Sequence, residues 1–404
     1  MSTTLVSFLG KNTIDRKTGY RTANYRFPDG TGQQTPFFGL ALERAVKPDR
    51  LLVLGTQSSM WDVLIGFLDP AGTQDEAIWE RLMEAAQAGC VDAALLREAQ
   101  PQVARQLGLP VDLRLIPFGK TEAEQADILR TIAEAVPQGR VILDLTHGFR
   151  HLAAIGLLSA FFLERTNGLE VAGLYYGALD MTQDGVTPVV RLDGLLAIQR
   201  WIDALDRFDQ TGDYGLFAPL LVADGVANDK AKCLEDAAFH ERTFNLKDAA
   251  RKIGTFLPVL DAGLPGTGRL FQDPLLKRLA WARGGKLYEH QQRLARLYLD
   301  RRDYVRATVL AWEAIISREC VNRRLDVDDF SPNGGRKKAE DDLKKCLNDE
   351  GDGWSKSPHN QIKALRNALA HGNPPRWPEE RRALGDADLL FRLLNRDFRL
   401  VFAA

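Results

Sequence analysis

The chain has 404 residues, with 53 Lys and Arg against 54 Asp and Glu and a formal net charge of −1. That length suits two or three domains, each with its own core. The charge balance excludes a protein whose whole surface binds nucleic acid, so any such contact must be local. Cys90, Cys233, Cys320 and Cys346 show neither a CxxC pair nor a His in ligand spacing, which points away from zinc sites and disulfide frameworks and fits a reducing cytoplasm. Residues 1–10 lack the basic start and long apolar core of a signal peptide. The longest apolar run, 152–163, is short of the ~20 residues a membrane span needs and reads as a buried helix, so no membrane contact is expected.

In chain order, apolar runs of strand length fall at 5–9, 50–54, 111–116, 141–145 and 170–176. Helical stretches at 38–46, 75–88, 122–136 and 151–165 separate them. Such alternation predicts an α/β fold with a mostly parallel, doubly wound sheet. After about Leu195 the alternation stops. Amphipathic helical patterning takes over at 195–208 and returns strongly at 288–325, while 212–285 is largely helical with Gly and Pro breaks at 263–268 and reads as a connector. The polar stretch 326–358, with Gly334-Gly335 and Gly351-Asp352-Gly353, reads as a partly ordered insertion.

Ligands of open α/β sheets bind beyond the carboxyl ends of the strands. Four unusual segments occupy such ends here. After the first strand comes a long loop with Gly10, Lys11, Asn12, Thr13, Arg16, Lys17, Thr18 and Tyr20; after the second, Gly55-Thr56-Gln57-Ser58-Ser59-Met60-Trp61-Asp62. The fourth strand runs into Asp144-Leu145-Thr146-His147-Gly148-Phe149-Arg150, and the fifth into Tyr175-Tyr176-Gly177-Ala178. One rim thus gathers hydroxyls, amides, a few cations and aromatic rings, and Thr146 and Gly148 at a helix start suit backbone N–H donors facing a phosphate. The expected ligand is anionic and carries nucleobases, which Tyr20, Tyr25, Trp61, Tyr175 or Tyr176 could stack upon. His147 has no adjacent Ser or Cys nucleophile and reads as a residue that binds or orders the loop.

Near the other end, Arg366-Asn367-Ala368-Leu369-Ala370-His371 lies in a helical run closed by Gly372. Five positions place the Arg and the His about 140° apart on a helix, sharing a broad face. A guanidinium offers fixed charge and paired donors for phosphate oxygens, and an imidazole gives or takes a proton near neutral pH. Metal-free RNA cleavage requires these two groups. A basic stretch precedes them: Arg283, Lys286, Arg293, Arg296, Arg301, Arg302, Arg306, Arg318, Arg323 and Arg324, then Arg336-Lys337-Lys338. It is either a local RNA contact or a solvated face balanced by acids.

Asp144 to Arg150 resembles the DxTHG signature of CRISPR-associated proteins with an N-terminal CARF domain, and Arg366 to His371 resembles the RxxxxH signature of HEPN ribonucleases. Both together, in this order, resemble the CARF-HEPN ribonucleases of type III CRISPR systems, as do Gly55-Thr56, Ser59-Met60-Trp61-Asp62 and Tyr175-Tyr176-Gly177-Ala178. The likeness touches roughly 1–195 and 290–404. It implies a Rossmann-like CARF domain at 1–195, an all-α connector at 196–288 and an all-α HEPN domain at 289–404 that draws helices from 196–215. It further implies a cytoplasmic homodimer, able to assemble further, that binds a cyclic oligoadenylate and then cuts single-stranded RNA with no metal or cofactor. Cyclic tetra-adenylate is favoured over hexa-adenylate. The ligand would meet Gly10, Lys11, Asn12, Thr13, Tyr20, Thr56, Gln57, Ser58, Ser59, Trp61, Thr146, His147, Gly148, Arg150, Tyr176 and Gly177, and catalysis would fall to Arg366, Asn367 and His371. The loop after Gly10 departs from the likeness, being longer and more basic than the short turn expected there. Two alternatives stand beside this reading: an enzyme that degrades the cyclic ligand at the rim, and a ligand-sensing regulator whose Arg-His pair is inert.

Overall fold

The computed structural model describes residues 1–11, 14–15, 19–68, 76–136, 138–349, 353–375 and 377–402. The chain divides into two compact units, Met1–Gln199 and Arg200–Ala404.

The first unit is built on an eight-stranded sheet. Its strands in chain order, with a separate hairpin included, are β1 (Thr3–Leu9), β2 (Ile14–Asp15), β3 (Gly19–Tyr20), β4 (Ala23–Arg26), β5 (Gly32–Thr35), β6 (Arg50–Gly55), β7 (Val111–Leu115), β8 (Arg140–Asp144), β9 (Glu170–Gly177) and β10 (Val186–Arg191). The spatial order is β5-β4-β10-β9-β8-β1-β6-β7, with β2 and β3 pairing apart. The run β7-β6-β1-β8-β9 is parallel throughout. It is the doubly wound arrangement, in which the winding direction reverses between β1 and β8. Alternate side chains of each central strand enter different cores. Leu5, Leu9, Leu51 and Val53 join one apolar cluster; Val6, Phe8, Leu52 and Leu54 join the other. Burial on both faces is why these strands read as unbroken apolar runs.

All five expected strands are present, and β4, β5 and β10 extend the sheet beyond them. β10 pairs antiparallel to β9 and β4 antiparallel to β5. Part of the segment that follows the loop expected after the first strand is thus itself strand, and Tyr25, expected as a possible stacking ring, is a core residue, 1 % exposed, with its ring 4.7 Å from that of Phe38.

The second unit is helical. Residues 196–288, expected to form a connector, mostly pack with 289–404 in this one unit. The run at 288–325 is two helices, Leu287–Asp300 and Tyr304–Asn322. Arg302 breaks it with φ 61°, and Asp303 caps the second helix by accepting from the Arg306 N–H at 3.1 Å. The stretch expected as an insertion contains the helix Gly335–Asp349. Helix Pro358–His371 packs against Tyr304–Asn322 and Ala387–Phe402. Among the described residues, no helix is long and apolar enough to cross a membrane.

Candidate functional site

At the winding reversal the loops after β1 and β8 touch. A Cβ on Gly10 would stand 2.8 Å from the Gly148 backbone nitrogen, so only glycine lets the two loops meet, and Gly148 itself has φ 98°. Hydrogen bonds tie neighbouring strand ends to this point. Ser59 Oγ donates to the Leu9 carbonyl at 2.7 Å, the Met60 N–H to the Gly10 carbonyl at 2.9 Å, and the Gly177 N–H to Thr146 Oγ1 at 2.8 Å. Thr56 is buried, its N–H donating to Ser59 Oγ at 2.9 Å.

Asp144 explains the local shape of the loop after β8. Fully buried, it accepts from Ser7 Oγ at 2.5 Å and from the Thr146 N–H at 2.8 Å, the second bond closing a turn over its own backbone. Burial pushes its carboxyl up to about 6, against the pull of the Ser7 and Thr146 hydrogen bonds. His147 accepts the Phe38 N–H on Nε2 at 2.9 Å, which places its own proton on Nδ1. That N–H opens the helix Phe38–Val46, whose preceding residue Phe37 supplies no side-chain cap. His147 thus satisfies an otherwise open helix terminus from 109 residues away. Burial holds its pKa down at about 4, so the ring is neutral at pH 7.

The expected ligand residues separate into frame and surface. Thr56, Ser59 and Trp61 are buried; the indole of Trp61 is 1 % exposed and donates to the Thr56 carbonyl at 2.9 Å, which removes it as a stacking platform. The Tyr20 hydroxyl donates to both oxygens of buried Asp62, at 2.7 and 2.9 Å. Gly177 is buried against the Tyr25 ring. Lys11, Gln57, Gly148 and Arg150 are exposed, while Ser58, Thr146 and Tyr176 are half-exposed. Asn12 and Thr13 lie outside the described residues. Ser7 and the Phe38 N–H were not anticipated. Only Asp144, two positions before a Thr, carried a local turn signal.

In the second unit, helix Pro358–His371 starts at Ser357, whose hydroxyl accepts from the Asn360 N–H at 3.2 Å, and ends at Gly372 with φ 68°. Its core face is Ile362, Leu365 and Ala368. Arg366 is half-buried and donates from Nη1 to Asn367 Oδ1 at 2.7 Å. His371 is exposed on the last helical turn. Lys363 donates to Glu340 at 2.5 Å and lies over the Trp312 ring at 5.3 Å. On the same helix, half-buried His359 is held down at about 4 by burial and by the Arg318 charge, and its Nδ1 has no partner. Six of the thirteen cations in the basic stretch that precedes this helix are paired with acids: Arg283 with Asp261, Arg302 with Asp388, Arg306 with Asp303, Arg323 with Glu319, Arg336 with Glu313 and Lys337 with Asp341.

Residues 4–178 match the family described as CRISPR system endoribonuclease Csx1, CARF domain. The CRISPR-associated protein MJ1674 of Methanocaldococcus jannaschii is 27% identical over 279 residues, covering 64% of this chain and 44% of that one. This chain therefore spans less than half the length of that relative. Among solved structures, Enterococcus italicus Csm6 bound to cyclic hexa-2′-fluoro-hexa-dAMP aligns over 100% of this chain and 95% of its own, at 11% identity and a TM-score of 0.36, a likeness too weak to build on.

Proposed function

We propose that this protein is an endoribonuclease that cuts single-stranded RNA when a cyclic oligoadenylate occupies the N-terminal rim; the match of residues 4–178 to the family described as CRISPR system endoribonuclease Csx1, CARF domain, supports this reading. At the rim, the exposed Lys11 and Arg150 supply cations, Gln57 an amide, Ser58 a hydroxyl and Tyr176 a ring. A ring ligand with two-fold symmetry suits a two-fold dimer, since each subunit presents the same surface to half of it. Cleavage of the activator at His147 is the weaker reading, because its Nε2 is occupied by the Phe38 N–H.

RNA carries its own nucleophile. The 2′-oxygen attacks phosphorus, the bond to the 5′-oxygen breaks, the 2′ proton leaves to a base and the departing 5′-oxygen gains one from an acid. The protein need only hold the strand, offset charge on the phosphorane and move these two protons. Arg366 clamps the phosphate, Asn367 holds the guanidinium in place and His371 transfers a proton, all three residues coming from both subunits to a composite site. The observation that carries this assignment is the 2.7 Å hydrogen bond that fixes Arg366 beside the helix end where His371 is exposed. Product analysis tests it. Activated protein in EDTA should leave 2′,3′-cyclic phosphate ends at undiminished rate; loss of cleavage in EDTA, or 5′-phosphate ends, contradicts it.

A further inference from the structure

In the second unit, guanidinium groups gather on a concave surface. A cleft of about 500 Å³ is lined by Arg207, Thr211, Asp213, Leu216, Arg242 and Arg306. The arginines come from three helices: Arg207 from the last turns of Asp193–Thr211, Arg242 from the end of Asn228–Arg242 and Arg306 from the first turn of Tyr304–Asn322. The segment 211–213 ties them together. Arg306 donates from Nη1 to the Thr211 carbonyl at 3.1 Å, and Arg242 from Nη1 to the Asp213 carboxylate at 3.0 Å. Thr211 Oγ1 accepts from the Asp213 N–H at 3.1 Å and donates to the Arg207 carbonyl at 2.7 Å.

These cations are accessible. The side chain of Arg242 is 56 % exposed and that of Arg306 27 %, and Arg207 is exposed with no partner for its guanidinium among the described residues. Two of the forks are fixed from behind. Arg306 donates from Nε to Asp303 at 2.5 Å and lies 4.3 Å from the centre of the Tyr298 ring, while Arg242 donates from Nε to the Ala238 carbonyl at 3.2 Å. Each of these two keeps its Nη2 without a partner among the described residues, and Arg207 keeps its whole fork. Three guanidinium charges meet two carboxylates, Asp213 and Asp303, so one positive charge is left over. A surplus charge presented with open N–H donors matches a phosphodiester, which carries one negative charge and only acceptor oxygens. The lining has no aromatic ring for a base to stack on, so such a ligand is held by its backbone whatever its sequence.

We infer that this cleft anchors the phosphodiester backbone of single-stranded RNA, which rests on the reading of RNA as the substrate and adds a grip to it. No residue of helix Pro358–His371 lines the cleft, so the strand is held here by side chains other than those proposed to cut it. Fluorescence anisotropy of the full chain with a labelled 2′-O-methyl oligouridylate, which has no 2′-hydroxyl to attack with, measures this binding apart from cleavage. In a salt series, losing one phosphate contact lowers the slope of log affinity against log salt by ~0.7 for a single strand. Arg207→Gln should show that drop and bind more weakly whatever the base sequence. The exposed, unpaired side chain can be replaced without disturbing the fold. Arg207→Lys, which keeps the charge, should restore the slope, and Arg105→Gln, at an exposed cation of the first unit, should leave it at the wild-type value. An unchanged slope in Arg207→Gln overturns the proposal, as do an equal drop in Arg105→Gln, the absence of saturable binding, or displacement of the strand by uridine monophosphate at the same concentration of nucleotide. The two readings fail separately: a chain that grips the strand through Arg207 but cuts no RNA contradicts the cleavage reading alone, and one that cuts RNA while Arg207→Gln keeps the wild-type slope contradicts the anchor alone.

Discussion

His147 closes the open end of a helix that is remote in sequence, and it can do so only while neutral. In the unfolded chain the ring takes up a proton below pH 6.5, in the folded protein only below about 4. Between those values the unfolded state binds more protons, so this residue lowers stability as pH falls through the window. Asp144 acts with the opposite sign. Its folded value, about 6 against an ordinary 3.8, means that its contribution is lost as pH rises through that range. The measurable quantity is therefore the difference between wild type and His147→Gln, whose amide can accept the same hydrogen bond without titrating. Urea midpoints of wild type should fall relative to the variant between pH 6.5 and 4, and parallel curves would show that the ring does not titrate as a neutral cap. At the other site, His371→Ala should lower RNA cleavage ~10²- to 10⁴-fold with an unchanged circular dichroism spectrum, because the residue is exposed. Arg366→Lys keeps the charge but loses the planar fork, and a comparable loss of cleavage is expected in the same assay.

Helix Pro358–His371 carries the Arg-His pair, and its ends set their position. Removing the Ser357 cap with Ser357→Ala should cost about 1 kcal/mol, and Gly372→Ala, at φ 68° with no atom within 4 Å of the added methyl, about the same through backbone strain alone. Both are read from chemical denaturation. This helix was legible from its end, where Gly372 closes the run that carries Arg366 to His371, whereas its start at Pro358 lay in the stretch expected as an insertion. The five parallel strands were legible because burial on both faces makes them continuous apolar runs. β4 and β5 were not, since Ala-Asn-Tyr-Arg and Gly-Gln-Gln-Thr have no apolar alternation and gain their place by pairing at the sheet edge. Helix Gly335–Asp349 was hidden by polarity. It buries Gly335, Ala339 and Leu343 and is laced by pairs such as Lys337–Asp341 and Lys344–Glu340. At the rim, the sequence pointed to the right polar segments but could not separate frame from surface, because Ser7–Asp144 and Phe38–His147 are contacts between residues more than 100 positions apart.

Over the whole molecule, a chain of net charge −1, with six cations of its basic stretch held in ion pairs, has little general attraction for RNA. The proposed cleavage must then rest on a local site and on its control. The chain passes from the first unit to the second within the helix Asp193–Thr211. For a ligand at the rim to control cleavage, it must bind the active arrangement more tightly than the resting one; equal affinity for both shifts nothing. The most direct test is the rate at which the purified full chain cuts a fluorogenic single-stranded RNA with and without cyclic tetra-adenylate or hexa-adenylate. The account predicts cutting that appears with one of these rings and is lost in His371→Ala. Cutting that is indifferent to both rings, or that survives in His371→Ala, would contradict it.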